Sequence, residues 1–203
     1  MISLLSMIYI IGVDEVGTGA WAGPIIIGGV RAPEDWTMPG LKDSKKLSRE
    51  QRADLTQQLH KARSKGIIDF TISMSDNEEI DKLGLGAVTK MCYVTAITHL
   101  YNEKDNIILD GNLNPKHLLK YGLNINMDNM QSVVKADDKY PTVMAASIIA
   151  KHWRDDLMIT LGHGFNPEYG WDKNVGYIVP EHKEAVRKYG LSSMHRKSYN
   201  VKL

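Results

Sequence analysis

An apolar run, Ile8 to Val13, stops on two adjacent acids, Asp14 and Glu15, and the glycine-rich stretch GTGAWAGP follows at once. A short apolar run bounded by turn signals reads as a buried strand. A buried strand that ends on carboxylates must bring them to an edge where water or a cation can meet them, because an unpaired buried charge is costly. Further apolar, β-branched segments at Ile25 to Val30, Ile67 to Met74, Asn106 to Leu109 and Ser132 to Lys135 are the other strand candidates. Helical patterns cover Ser48 to Ser64, which opens on the capping signature SREQ, then Asp76 to Tyr101, Thr142 to Thr160 and Pro180 to Tyr189. Three strands with short gaps, then single strands separated by helices, predict an α/β mixed sheet flanked by helices rather than a regular doubly wound fold. The stretch GHGFNPEYGWDKNVGYIVP is predicted to be an ordered loop leading into a C-terminal helical piece.

The length of 203 residues suits one domain, 1–203, with a C-terminal helical extension from about residue 162. A net charge of +1 excludes a strongly basic polyanion binder, although the tail carries Lys183, Arg187, Lys188, Arg196, Lys197 and Lys202 against Glu184, so that any nucleic-acid affinity is local. Cys92 is the only cysteine, which excludes an internal disulfide and zinc ribbons and fits a reducing, cytoplasmic setting. It lies in the apolar segment KMCYVTAI and is predicted to be core. The opening MISLLSMIYIIGV lacks the basic start and cleavage site of a signal sequence and is read as first strand, with Met7 an alternative start; no other run is long enough to span a bilayer.

Two further acids stand where strands should end: Asp110 after NIIL, and Asp137 after SVVKA. Strand-end carboxylates can converge on one side of a sheet, and such a cluster is unstable unless cations neutralise it. Hard divalent ions such as Mg²⁺ or Mn²⁺ take oxygen ligands, and a pair of them can clamp both oxygens of a phosphoryl transfer. A single acid after a strand is usually a polar loop start; an adjacent pair joined by two later ones favours the metal reading. Gly17, Gly19 and Gly23 follow the spacing G-x-G-x-x-x-G, which misses the dinucleotide fingerprint, and no P-loop occurs. Glycines beside acids let a backbone approach a ligand closely, or simply make a tight turn. His152, His163 and His182 show no metal-ligand spacing.

These residues resemble the type 2 ribonucleases H, the ribonuclease HII group with its ribonuclease HIII relatives. The likeness rests on DEVGTGAWAGP, LKDSKKLS, LDGN, VKADDKYPTVMAASIIAK, YGWDKNVGY and HRKSY, which occur in the family's order along nearly the whole chain. It implies an RNase H-like mixed five-stranded sheet and a metal-dependent endonuclease. The implied reaction is hydrolysis of the RNA strand of an RNA/DNA hybrid to 5′-phosphate and 3′-hydroxyl ends, with cutting at ribonucleotides embedded in a DNA duplex as a further substrate. The implied metal and catalytic residues are Asp14, Glu15, Asp110 and Asp137, with Asp138 a chemical competitor for the last place. The resemblance also implies substrate contacts from the Gly17, Thr18 and Gly19 turn, from Lys45, Lys46 and Asn112, and from Tyr177 against the sugar beside the cut. In the helix after Asp137, Ala145, Ile148, Ile149 and Leu157 should face the core, while Ser147, Lys151 and Arg154 form a polar stripe toward the site; Ser147 and Lys151 either brace the acidic loop or meet phosphate. His195 takes a structural role. The chain is expected to act as a monomer.

Two departures bear on substrate. Thr18 stands where ribonuclease HII proteins usually carry an arginine, which could fork onto a phosphate as threonine cannot. DEVGTG is similar instead to ribonuclease HIII, whose members usually carry an additional N-terminal domain that finds no room before residue 8; DGN and KADD resemble ribonuclease HII. Asn174 and Val175 replace a usual His-Lys pair. Weaker phosphate binding, or a reduced preference for single ribonucleotides, is expected. The alternative functions are a hybrid-binding protein with little catalysis and, further off, a nuclease of DNA junctions.

Overall fold

The computed structural model describes residues 8–202. The opening heptapeptide, including Met7 as an alternative start, lies outside them. Strand β1 (Tyr9–Val16) is the middle of a five-stranded sheet ordered β3-β2-β1-β4-β5. It pairs antiparallel with β2 (Ile25–Pro33), which pairs antiparallel with β3 (Asp69–Ser75). On the other side it runs parallel to β4 (Asn106–Asp110), itself parallel to β5 (Met130–Val133). The carboxyl ends of β1, β4 and β5 therefore open on one edge.

Successive residues of a strand face opposite sides of the sheet. Ile11, Val13, Ile25, Ile27, Ile107 and Leu109 face helix α3 (Leu85–Leu100), where Val88, Tyr93, Ala96 and Ile97 complete a buried cluster. The opposite side is covered by helix α1 (Arg49–Ser64) and the long helix α4 (Pro141–Gly164), through Val30, Ala32, Leu59, Phe70, Ala145, Ala146 and Ile149. Helix α4 lies almost backbone to backbone on the sheet. A Cβ at Gly12 would come 2.3 Å from the Val143 nitrogen, and one at Gly28 would come 2.3 Å from the Ala146 carbonyl oxygen. Only glycine permits that approach.

The capping box at Ser48 and Gln51 forms as the sequence signature predicts. The span expected as one helix from Asp76 to Tyr101 is broken in two, α2 (Asn77–Leu83) and α3, because Gly84 takes φ +84°. β5 ends two residues earlier than expected, since Lys135 turns into the left-handed region at φ +57°. The glycine-rich loop carries a 3₁₀ turn (Pro167–Tyr169) and the short α5 (Trp171–Asn174), and leads to α6 (Pro180–Tyr189). Tyr169, Trp171, Ala185 and Val186 bury against Trp21, Ala22 and Met158, so the C-terminal part packs on the segment just after Gly17. Among the described residues no helix is long and apolar enough to cross a membrane.

Candidate metal and nucleic-acid site

Strand parity places the acids. Asp14 pairs with Gly28 and shares the α4 side of β1 with Gly12, and Asp110 shares that side of β4 with Ile108, which pairs with Gly12. Asp137 arrives on a 3₁₀ turn (Ala136–Asp138) that the left-handed Lys135 aims back under the edge. Oxygens of Asp14, Asp110 and Asp137 all lie within 4.8 Å of one another. Asp110 is fixed by the Ala136 N–H, 2.7 Å from its Oδ1. Glu15, one residue on, points to the opposite side of β1 and accepts the hydroxyl proton of Tyr93 in α3. The expected acidic quartet is thus a compact triad with Glu15 beside it. Asp138 does not join them; it is exposed and accepts from Lys46 Nζ at 2.7 Å.

The electrostatics are those of a site short of positive charge. Burial, with added repulsion from Glu15 and Asp110, pushes Asp14 up to about 7 from its ordinary 3.8, even though the Ser147 hydroxyl and its neighbour's N–H favour the anion. Burial raises Glu15, eased by Tyr93 and aggravated by Asp110. Asp137 is raised by burial and then by Asp110. The cation that answers them is Lys45, whose Nζ stands 3.7 Å from Asp137 Oδ2. Burial acts against its charge, but Asp137, Asp14, Asp43 and Asp110 together raise its pKa. Lys46 is held instead by Asp138.

The lysine loop is braced on α4. Ser44 Oγ lies 2.9 Å from Ser147 Oγ, which in turn serves Asp14. Arg52 donates to the Ser44 and Leu47 carbonyls and to Asp155 Oδ2 at 2.9 Å, and Lys151 Nζ donates to Asp155 Oδ1 at 2.8 Å. Ser147 is buried and Lys151 mostly so. Arg154 departs from the expected site-facing stripe: it is wholly buried and donates to the carbonyls of Pro24, Val175 and Ala22 at 2.9, 2.9 and 3.0 Å. It turns inward to carbonyls of the segment after Gly17 and of the loop at Val175. Leu157 is only half-buried, toward α1.

The glycine turn sits next to the acids. Gly17 has φ +98°, and a Cβ there would strike Arg154 Nε at 2.3 Å; Thr18 and Gly19 are exposed. The Thr18 carbonyl accepts from Arg196 Nη1 at 3.2 Å and from the Tyr199 hydroxyl at 2.8 Å. Ala20 bridges to Tyr177, whose ring stands 5.3 Å from Lys151 Nζ and 5.1 Å from the Arg154 guanidinium. Asn174 spends both ends of its amide on the local turn, donating to the Tyr169 carbonyl and accepting from Gly176 N–H. Val175 is left-handed at φ +44°. Asn112 is exposed beside Asp110. Cys92 is buried core, as expected.

Tyr93, Ser44, Arg52, Arg196 and Tyr199 were not singled out for these contacts by sequence. A usable signal existed for Tyr93, since a tyrosine inside an apolar helix needs a partner for its hydroxyl.

Acids gathered at the carboxyl ends of parallel strands, in a mixed sheet of this order, define a metal-dependent nuclease of the ribonuclease H-like class. A family model described as Ribonuclease HII matches residues 11–202. The chain is 36% identical over 197 residues to ribonuclease HII of Helicobacter pylori strain G27, covering 95% of this chain and 92% of that protein. It is similar in structure to ribonuclease H2 of Pyrococcus horikoshii OT3, with TM-score 0.76 at 29% identity over 94% and 93% of the two chains. The PCNA:RNase HII complex from Archaeoglobus fulgidus contains another similar chain, with TM-score 0.74 at 27% identity over 97% and 96%. The chain belongs to the ribonuclease HII family, and is a metal-dependent endoribonuclease.

Proposed function

We propose that the chain, acting as one catalytic domain and as a monomer in the cytoplasm, hydrolyses the RNA strand of RNA/DNA hybrids with two divalent ions, Mg²⁺ or Mn²⁺, leaving 5′-phosphate and 3′-hydroxyl ends. The observation that carries this reading is the triad within 4.8 Å, set beside an exposed glycine turn tied to Tyr177. The donor set fits a hard divalent ion: it is all carboxylate, buried at Asp14, and too crowded with negative charge to ionise freely. Asp14, Asp110 and Asp137 would hold the metal, with Glu15 reaching it from the α3 side. Divalent ions, when bound, supply the positive charge that makes water a nucleophile at neutral pH and stabilises the leaving oxygen.

The chain's own groups do the rest. Tyr93 and Ser147 orient Glu15 and Asp14. Lys45 and Lys46 meet phosphates of the scissile strand, and Asn112 and Lys151 line the approach. The Gly17, Thr18 and Gly19 backbone reads the 2′-hydroxyl, while the Tyr177 ring packs on the neighbouring sugar. Thr18 and the internally committed Asn174 leave this end without the cations the family usually places there, which favours hybrid tracts over single ribonucleotides in DNA. Cleavage assays with a duplex carrying an RNA tract and one carrying a single ribonucleotide test this. The tract should be cut faster, Asp14→Asn should abolish both reactions, and equal rates on the two substrates would defeat the specificity assignment.

A further inference from the structure

Two histidines that the metal site does not use lie fully buried behind Tyr177. His195 Nδ1 is 2.9 Å from the Ser192 backbone nitrogen, an obligatory N–H donor. That nitrogen must therefore be an acceptor, which puts the His195 proton on Nε2. His195 Nε2 faces His182 Nε2 at 3.0 Å, and Trp171 Nε1–H also donates to His182 Nε2, at 3.2 Å. With two donors on its Nε2, His182 must carry its proton on Nδ1, and that proton meets the Tyr177 carbonyl at 2.9 Å. One backbone N–H thus dictates both tautomers, and the chain of bonds ends on the residue proposed to touch the sugar. Trp21 and Tyr169 close the sides, with ring centroids 5.4 Å from both imidazoles and 4.9 Å from His195 respectively.

We propose that His182 and His195 are positioning residues for Tyr177, forming a neutral imidazole relay that sets substrate affinity and comes apart when either ring is protonated. A proton on His195 Nδ1 would oppose the Ser192 N–H, and one on His182 Nε2 would oppose two donors. The titratable and charged groups around the relay are the Tyr169 phenol, Lys183 of α6 with its Nζ on the Lys202 carbonyl, Arg196 next to His195, and Lys151 and Arg154 of α4 against the Tyr177 ring. No carboxylate bonds to either imidazole among the described residues, so nothing there favours the imidazolium. Burial, reinforced by the neighbouring ring, holds His195 down at about 4, and burial lowers His182 as well.

This proposal rests on Tyr177 being a substrate contact, and its test separates the two. Imidazole ¹H–¹⁵N correlation spectra of the full protein should show His182 as the Nδ1–H tautomer and His195 as the Nε2–H tautomer, both neutral at pH 7. An Nε2–H tautomer at His182, or an imidazolium at either ring, would overturn the relay. In steady-state cleavage of a hybrid tract, His182→Phe should raise KM about fivefold, the worth of one hydrogen bond, with kcat within about twofold. Added to Tyr177→Ala it should raise KM no further; independent, multiplying effects would overturn the relay. The wild-type KM should stay level from pH 8 to 6 and rise only as the pH falls toward about 4, where His195 takes up a proton, and His182→Phe should flatten that rise. An unchanged KM in Tyr177→Ala would instead remove the sugar contact, and with it the relay's part in binding, whatever the tautomers.

Discussion

At the acidic edge, three carboxylates crowd within 4.8 Å and Asp14 is driven to about 7. A short way on, around the Gly17 turn, two buried guanidiniums have no carboxylate bonded to them among the described residues: Arg154 and Arg196 are matched to backbone carbonyls of residues 18 to 24 and 175. The first region has surplus like charge and awaits a ligand. The second has its own donors and acceptors largely paired and is set before any ligand comes. The contrast teaches that the chemistry and the substrate reading are built with opposite economies, one leaving charge unsatisfied and the other leaving little free to move.

The largest expected effect breaks the acidic side. Asp14→Asn should lower hybrid cleavage on the order of a thousandfold. It should also stabilise the metal-free protein at alkaline pH. Because the folded-state pKa is raised, the contribution of Asp14 is present in full below pH 3.8 and is lost as pH rises through about 7. At pH 8 the wild type is therefore disfavoured by up to about 4 kcal/mol relative to the neutral amide. Thermal melts should show this difference vanish near pH 4 and shrink at pH 8 on adding Mg²⁺.

The next effect breaks the opposite side. Arg154→Met leaves three carbonyls without donors and should cost about 3 kcal/mol in urea unfolding. Gly17→Ala should cost about 2–4 kcal/mol, since φ +98° and the Arg154 contact both resist a methyl, whereas Gly19→Ala, with nothing within 4 Å of the new atom, should stay within about 0.5 kcal/mol. The pair sharpens the contrast between a fixed and a free glycine in one turn. The smallest effect is Val175→Asn, which relieves a β-branched residue at φ +44° and should raise the melting temperature slightly, by about 0.5 kcal/mol of stability.

The sequence reaches the sheet because apolar runs of this length carry the strand signal directly, and it reaches Asp14, Asp110 and Asp137 because strand ends are local features. Glu15 shows where local reasoning thins. Adjacent acids look like one pair, but the period of two sends them to opposite sides of β1, one to Ser147 and one to Tyr93. Arg154 shows the other boundary: its helix position suggests an open polar stripe, while carbonyls from the segment between β1 and β2, more than a hundred residues earlier, draw it inside. The break at Gly84 and the left-handed Lys135 depend on tertiary direction, which periodicity does not encode.

The close seating of α4 on Gly12 and Gly28 has a consequence for variation in this chain. The spacing between the Ser147 hydroxyl and Asp14 is inherited from a contact two residues upstream that carries no functional group. A single methyl at Gly12 would lift the helix and open the site, leaving every acid in place. A descendant of this sequence could therefore keep the whole acidic signature and be catalytically silent, its lesion hidden in a residue that no chemical motif would flag.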